Sequence, residues 1–171
     1  MDKNDDRKIF DIDLERCVGC YACVVACMDQ NDINVDEEER FRDVSAIRPV
    51  YSTTGTLGYV SLACMHCEDA PCVMGCPTGG LQKDPETNMT IVVSSLCIGC
   101  HSCIMNCPYG APRFGPDGKI RKCNGCLPRT QMGMTPACVR VCPTKALKYD
   151  THENIINLKK ERLLKSLVNK E

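Results

Sequence analysis

Sixteen cysteines, grouped in four blocks of four, constrain this 171-residue chain more than any other feature of its sequence. The first and third blocks share the spacing C-x2-C-x2-C-x3-C. The second block has four residues in its central spacer and the fourth has eleven, and the last three blocks all end in Cys-Pro. The blocks are Cys17, Cys20, Cys23 and Cys27; Cys64, Cys67, Cys72 and Cys76; Cys97, Cys100, Cys103 and Cys107; and Cys123, Cys126, Cys138 and Cys142.

This spacing is typical of bacterial ferredoxins, in which three thiolates of a block bind one [4Fe–4S] cluster and the fourth binds the neighbouring cluster. Proline after the last cysteine, at Pro77, Pro108 and Pro143, has a fixed φ and no N–H donor, which predicts the start of a helix or turn there. At four ligands per cluster, sixteen cysteines account for four [4Fe–4S] clusters with none left over. The sequence therefore predicts a protein that carries electrons and has no catalytic residues of its own.

Two other uses of cysteine fit the pattern less well. A disulfide framework is typical of short secreted chains, but this sequence starts Met1-Asp2-Lys3-Asn4, without an apolar signal segment. C-x2-C pairs also bind zinc, but a zinc site needs neither a cysteine three residues further on nor a proline after it. We therefore expect iron–sulfur clusters.

The apolar core is expected to be thin. Hydrophobic residues make up 43% of the chain, but this fraction includes the cysteines, and there are five tyrosines, three phenylalanines and no tryptophan. Cluster binding should therefore supply much of the folding free energy, as metals do in other small metallodomains.

The charge and hydropathy of the chain exclude two classes of partner. A formal net charge of −1 excludes a strongly basic surface for nucleic acid. The sequence also contains no run of 18 apolar residues, so no direct membrane span is expected. Thiols must stay reduced during cluster assembly, which favours a cytoplasmic location, with export attached to a signal-bearing partner as the alternative. Six basic residues near the blocks are candidates to offset cluster charge: Arg16, Lys119, Arg121, Lys122, Arg140 and Lys145.

The order of the blocks predicts an α+β, loop-rich fold of two nested bacterial-ferredoxin-like units with a C-terminal helix. Only 20 residues separate Cys76 from Cys97, a join typical of the two halves of a two-cluster ferredoxin. We expect an inner unit at residues 58–115, an outer unit at 1–57 and 116–150, and helical turns after each third cysteine. Candidate strands are Lys8–Ile12, Ala46–Tyr51, Tyr59–Leu62, Met89–Val93 and Lys119–Arg121, Ala22–Gln30 is a candidate helix, and Asp36–Arg40 is expected to be a solvated loop.

Residues 151–171 contain no cysteine and predict an amphipathic helix. Its apolar face is expected to be formed by Ile156, Leu163, Leu164, Leu167 and Val168. This helix either packs on its own domain or docks a partner subunit. Binding to a membrane surface is less favoured, because no aromatic residue is present to anchor it.

Three strings go beyond the cysteine spacing. They are Cys64-Met65-His66-Cys67-Glu68-Asp69-Ala70-Pro71-Cys72 with Cys76-Pro77; Cys107-Pro108-Tyr109-Gly110-Ala111-Pro112-Arg113-Phe114; and Lys122-Cys123-Asn124-Gly125-Cys126 with Cys138 and Cys142-Pro143-Thr144. Over residues 7–150 they are similar to the electron-transfer subunits, of the polyferredoxin type, of the DMSO-reductase (molybdopterin) oxidoreductase family. The resemblance implies a four-cluster subunit in anaerobic metabolism that partners a large catalytic subunit with a molybdenum or tungsten bis-pterin cofactor, with a further electron-transfer subunit as an optional partner.

Other partners remain open. Related polyferredoxins serve hydrogenase complexes, formate dehydrogenases and tungsten aldehyde oxidoreductases. A freely diffusing polyferredoxin is a further alternative, but such carriers tend to be strongly acidic, and a net charge of −1 favours a bound subunit.

Nesting assigns the cysteines to four ligand sets, because the fourth cysteine of each block crosses to the paired block. A sequential arrangement would instead place Cys27 with Cys64 and Cys67; the short join and the family resemblance favour nesting. Set A is Cys17, Cys20, Cys23 and Cys142; set B is Cys27, Cys123, Cys126 and Cys138; set C is Cys64, Cys67, Cys72 and Cys107; set D is Cys76, Cys97, Cys100 and Cys103.

Overall fold

The structure, a computed structural model, describes residues 7–47 and 58–168. Within these residues the strands pair two by two, always antiparallel, and no larger sheet forms. The pairs are β1 (Lys8–Ile12) with β8 (Leu147–Thr151), β2 (Asp43–Ile47) with β3 (Gly58–Leu62), β4 (Leu81–Lys83) with β5 (Thr90–Val92), and β6 (Arg113–Phe114) with β7 (Ile120–Arg121). The helices are α1 (Ala22–Gln30), α2 (Pro71–Met74), α3 (Ser102–Asn106), α4 (Leu127–Gln131), α5 (Ala137–Arg140) and α6 (His152–Val168), and one 3₁₀ turn covers Ser94–Leu96. The α+β class is confirmed.

Four helices begin one residue before the third cysteine of a block. These helices are α1, α2, α3 and α5, so the third cysteine lies in the first turn instead of preceding the helix. The expected helix at Ala22–Gln30 is confirmed, but the expectation that helical turns follow the third cysteine is corrected by one or two residues. The third thiol therefore has a fixed direction, set by the helix on which it lies.

Proline limits the length of three of these helices, α2, α3 and α5. A turn starts at each proline that follows a block's last cysteine, and the helix before it has already ended. Proline disfavours the helical conformation in the residue before it and cannot donate to the preceding turn. In the first block Met28 replaces the proline, and α1 continues past Cys27 to Gln30.

The two ends of the described chain meet in one strand pair. In the β1–β8 pair, Lys8 lies opposite Thr151 and Ile12 lies opposite Leu147. Helices α1 and α5 pack against each other beside this pair. Their core contains cysteines of the first and fourth blocks among small apolar side chains: Cys23, Val24, Val44, Cys138, Cys142, Ala146 and Leu147.

A second core lies between the second and third blocks, where α2 packs against α3 and β4 pairs with β5. The β4–β5 turn is closed by Asp84, whose Oδ1 accepts hydrogen bonds from the N–H of Thr87 at 2.8 Å and its hydroxyl at 2.6 Å. The core of this part consists of Ala70, Cys72, Leu81, Cys103 and Ile120, with half-buried Cys67, Cys76 and Cys97 packed on it.

The candidate strands have mixed outcomes. Lys8–Ile12 forms β1, and Tyr59–Leu62 lies within β3. The candidates around residues 89–93 and 119–121 contain the shorter strands β5 and β7. The candidate at 46–51 begins earlier than expected, as β2, and its residues 48–51 lie outside the described part of the chain.

The charged run Asp36–Arg40 is a loop whose residues are exposed, as the sequence predicts, with Glu38 as the exception. Glu38 forms an ion pair with Arg121 at 2.7 Å and has a side chain only 16% exposed. Glu39 forms another with Arg113 at 3.0 Å. Both arginines belong to β6 and β7, so this loop ties the region of the first block to the region of the third.

The C-terminal helix α6 is confirmed, but its buried side differs from the prediction. Ile155 is the buried residue, at 1% exposure, and Leu158 and Arg162 continue the same side one and two turns further on. The apolar residues expected on the packing face are exposed, namely Ile156, Leu163, Leu164, Leu167 and Val168. Among the described residues, no helix combines the length and the apolar character that crossing a membrane would require.

Candidate metal centres

Two small cavities are lined by four cysteines each, and each group of four is one of the expected ligand sets. The first cavity is lined by set A, and its Cys142 comes from the last block of the sequence. The second is lined by set D, and its Cys76 comes from the block before the other three cysteines. The set A cavity is closed by Val18, Tyr21 and Leu147, and the set D cavity by Leu81, Ile98 and Phe114.

The loops that present these cysteines depend on a left-handed residue before the second cysteine of each block. Gly19, Gly99 and Gly125 occupy this position with φ of +70°, +68° and +70°. In the second block His66 takes the same conformation, with φ of +49°. A positive φ reverses the chain within two residues, which lets both cysteines of a C-x2-C pair face one cavity.

His66 is held in this unfavourable conformation by its ring. The residue is 9% exposed, and its Nδ1 accepts a hydrogen bond from the backbone N–H of Thr90 at 3.1 Å. Burial lowers the pKa of His66 well below its usual value, and the charges of Lys122 and Lys83 lower it further. The ring is therefore neutral, with its proton on Nε2, and it packs against Phe10.

Cys76 and Cys142, the fourth cysteines of two blocks, lie in the same kind of backbone pocket. Burial alone would raise the pKa of Cys76, but hydrogen bonds from the N–H groups of Leu81, Thr78 and Gly80 and from the Thr78 hydroxyl lower it. Cys142 is surrounded in the same way by Leu147, Thr144 and Ala146, and its pKa is also lowered against the effect of burial. Each Cys-Pro-Thr sequence thus builds a site that stabilises a thiolate, the form in which cysteine binds iron.

Sets B and C are also brought together. Burial raises the pKa of Cys27 to about 12, and the next contributor is the negative charge of Cys123; Cys138 and Cys126 contribute as well. Burial likewise raises the pKa of Cys72, with Cys64 and then Cys107 adding to the rise, while Cys64 and Cys67 both act on Lys83. Cys27 is thus affected by the charges of the other set B thiols, and Cys72 by those of Cys64 and Cys107.

The sets follow one another through the fold. Cys23 of set A and Cys138 of set B share one apolar core, and Cys72 of set C and Cys103 of set D share the other. Sets B and C meet through Cys123, whose pKa burial raises and Cys64 raises further. The two end sets each have one solvent-exposed cysteine, Cys20 in set A and Cys100 in set D, whereas all four cysteines of set B are buried.

The chemistry of these residues fits [4Fe–4S] clusters. Each thiolate of such a cluster binds a different iron, so its ligands surround a cavity and do not converge on a point. Within residues 7–47 and 58–168, no three His, Cys, Asp or Glu side chains converge closely enough to hold a single metal ion. Four cysteines around a cavity with apolar walls match the donor set of a cubane.

Sequence reasoning missed two buried residues beside the cysteines and identified a third only as one of several candidates. Arg42 and Ser61 are 4% and 5% exposed, and Ser61 Oγ lies 3.3 Å from Cys23 Sγ. Both lie between the first two blocks, and no local pattern distinguishes them. Of the six basic candidates, Lys122 alone is buried, at 4% exposure.

Comparisons with known proteins agree with this chemistry. A 4Fe-4S dicluster domain model matches residues 56–152, and a 4Fe-4S binding domain model matches residues 14–28. The protein is 38% identical over 149 residues to the B subunit of the anaerobic dimethyl sulfoxide reductase of Escherichia coli K12, covering 82% of this sequence and 71% of that one. It is 40% identical over 139 residues to the thiosulfate reductase electron transfer subunit PhsB of Salmonella typhi, covering 80% and 72%. It is 35% identical over 169 residues to the iron-sulfur subunit of the nitrate-inducible formate dehydrogenase of E. coli K12, covering 90% and 58%.

Proposed function

Because this chain belongs to the 4Fe-4S dicluster family of iron–sulfur electron-transfer subunits, we propose that it is the electron-carrying, non-catalytic subunit of a molybdenum or tungsten oxidoreductase complex. The observation that carries the proposal is the pair of cavities lined by four cysteines each. When bound, the clusters would supply one-electron chemistry, which none of the side chains provides.

The proposed ligands are the four nested sets. Sets A and D are supported by their cavities, and sets B and C by the mutual effects of their thiols. Cys27 lies with Cys123, Cys126 and Cys138, which supports nesting over the sequential arrangement. The division into an inner unit at 58–115 and an outer unit at 1–57 and 116–150 follows from the same grouping, although the β2–β3 pair crosses its boundary.

We assign entry and exit of electrons to the two ends of this series. Cys20 is exposed beside Val18, which is 57% exposed, and Cys100 is exposed beside Ile98, which is 67% exposed. Set B is buried and has no direct access to a partner's surface. A donor and an acceptor would therefore meet different faces, one at set A and one at set D.

The iron content of the whole chain tests the cofactor assignment. Protein purified without oxygen should be brown and contain about 16 iron and 16 acid-labile sulfide, because each set holds one cubane. Stoichiometric zinc without visible absorption would contradict the proposal.

The partner is tested by its metal. The tagged chain, purified without oxygen from its own cells, should bring with it a large subunit containing molybdenum or tungsten and a pterin, as the family resemblance implies. A nickel-containing partner would instead assign the chain to a hydrogenase complex, and recovery of the cluster-loaded chain alone would favour a diffusing polyferredoxin.

We propose a cytoplasmic location, because sixteen thiols must remain reduced until their clusters are built. Export attached to a signal-bearing partner is the alternative. Fractionation of cells into cytoplasm and outer compartments, followed by detection of the chain, distinguishes the two.

A further inference from the structure

Two buried cations, Arg42 and Lys122, flank the cysteines of set B. Arg42 lies immediately before β2 and is 4% exposed. Lys122 lies immediately after β7 and is also 4% exposed. Arginine and lysine are almost never this deeply buried unless a negative group compensates them.

Carboxylates do not provide that compensation. Among the ion pairs of the described residues, neither Arg42 nor Lys122 takes part. Arg42 Nη1 donates to the Ser61 hydroxyl at 2.9 Å, and its Nε is buried with no hydrogen-bond partner in that part of the chain. Lys122 Nζ donates to the backbone carbonyls of Thr90 and Cys123, the latter at 2.8 Å. Within residues 7–47 and 58–168, the direct hydrogen-bond partners of both cations are therefore neutral groups.

The cysteines supply the negative charge around Arg42. Its hydroxyl partner Ser61 lies 3.3 Å from Cys23 Sγ, which places the guanidinium next to set A. Burial would lower the pKa of Arg42, but the pKa is raised because thiolates of sets A and B act on it, Cys138 and Cys123 most strongly. Arg42 thus lies between set A and set B.

Lys122 occupies the corresponding place between set B and set C. Its ammonium is bound to the carbonyl of Cys123 itself, a set B ligand. On the other side the ammonium donates to the carbonyl of Thr90, and the N–H of Thr90 donates to Nδ1 of His66. His66 lies in the sequence between Cys64 and Cys67, two ligands of set C. Lys83, which donates to the carbonyl of the set C ligand Cys67 at 2.6 Å, ties the same loop together from its other side.

We propose that Arg42 and Lys122 are positioning charges that raise the reduction potentials of the clusters they separate, Arg42 acting on sets A and B and Lys122 on sets B and C. The inference rests on the proposed function. Reduction of a cluster by one electron adds one negative charge and leaves every bond to the protein in place. A fixed cation in a poorly polarisable interior stabilises that added charge, so the reduced form gains more than the oxidised form.

The proposal makes set B distinct from the other three. Both cations act on set B, whereas only Arg42 acts on set A and only Lys122 acts on set C. Set D lies beyond set C, and neither cation contacts its cysteines directly. Removing the two charges separately should therefore affect two pairs of clusters that share one member.

The test is a redox titration of the full cluster-loaded chain, followed by electron paramagnetic resonance. Arg42→Gln should lower two of the four reduction potentials, each by at least a tenfold change in the reduction equilibrium constant, about 59 mV for a one-electron couple. Lys122→Gln should also lower two, and one of its two should be the same cluster. Arg42→Lys, which keeps the charge, should restore most of both shifts.

Arg40→Gln is the matched control, because Arg40 lies two residues from Arg42 but is half exposed and paired with Asp43. It should leave all four potentials unchanged. The proposal would be overturned if Arg42→Gln left all four reduction potentials unchanged or shifted all four equally. It would also be overturned if the two clusters affected by Arg42→Gln and the two affected by Lys122→Gln had no member in common. If Arg42→Gln loses iron, Lys122→Gln decides alone: two lowered potentials support the proposal and four unchanged potentials overturn it. Wild-type protein with fewer than four one-electron couples would contradict the proposed function instead, before any variant is compared.

Discussion

At the scale of the residue, Gly99 shows why the C-x2-C loops tolerate so little change. Its φ is +68°, and a Cβ built at this position would lie 2.7 Å from the carbonyl oxygen of Gly118. The positive φ alone costs a residue with a Cβ about 1–2 kcal/mol. The close backbone oxygen adds a clash that no side-chain rotation can relieve. Two separate features of this loop therefore require glycine at position 99, namely the positive φ and the close Gly118 carbonyl.

Gly99→Ala should consequently weaken set D. We expect thermal release of iron at a lower temperature than in the wild type, with set D lost first, because the loop between Cys97 and Cys100 must shift. Gly110→Ala is the control, since Gly110 has a positive φ of +56° but open space around it. Equal effects of the two substitutions would show that the Gly118 carbonyl plays no part.

At the scale of the element, α6 is attached to the outer strand pair by charge more than by apolar contact. Arg162 donates to Asp11 and to Asp13, both at 3.1 Å, and both aspartates are 7% exposed. Lys159 adds a second ion pair to Asp11, also at 3.1 Å. Ile155 alone is deeply buried on this helix.

Arg162→Ala should release the second half of α6. Two buried carboxylates would lose their main partner, at a cost of about 2 kcal/mol, the usual value for hydrogen bonds to charged groups. Hydrogen exchange of the α6 amides measures the effect, which should spread from residue 162 toward the end of the helix. Lys165→Ala, at an exposed position in the last turn, should leave exchange unchanged; the same result for Arg162→Ala would contradict the charge-based attachment.

The elements also show what a sequence can and cannot predict here. The third cysteine of the first block lies in a helix that short-range spacing indicates without any following proline, so α1 could be predicted to the residue. Arg42 could not, because its place depends on the pairing of β2 with β3, which brings Ser61 beside Cys23. The burial of Glu38 escapes prediction for the same reason, since its partner Arg121 lies 83 positions further on and no local pattern connects them.

At the scale of the whole molecule, cysteines make up much of what the core contains. Both apolar clusters consist largely of cysteine with alanine, valine, leucine and isoleucine, and no aromatic residue is among their buried members. The strands pair only two at a time, so no continuous sheet connects the parts of the described chain. We therefore expect the metal centres to supply much of what holds these parts together, beside the β2–β3 pair and the ion pairs of Glu38 and Glu39.

Removal of iron by a chelator should unfold the protein cooperatively. The physical reason is that apolar burial without the clusters is too small to offset chain entropy, as in other small metallodomains. Far-ultraviolet circular dichroism and hydrogen exchange before and after chelation provide the measurement. An apoprotein with near-native dichroism and a sharp melting transition would show that the polypeptide core is sufficient.

Cys142→Ala tests how distant parts of the chain share a metal centre. It should remove the cluster of Cys17, Cys20 and Cys23, lowering the iron content from about 16 to about 12, because each fourth cysteine crosses to the paired block. Cys20→Ala should lose the same paramagnetic signal, and Cys138→Ala a different one. If Cys142→Ala and Cys138→Ala lose the same signal, the nested ligand sets are wrong.

The β1–β8 pair has a consequence for how the protein is made. Of the described strands, Lys8–Ile12 leaves the ribosome first, and it pairs with residues 147–151, which are synthesised after all sixteen cysteines. During translation the second and third blocks can therefore pair with each other before the fourth block, the partner of the first, has been synthesised. Maturation should proceed from the middle of the protein outward, and a nascent chain arrested once residue 121 has emerged from the ribosome should already carry iron in its centre while its amino-terminal cysteines remain open to alkylation.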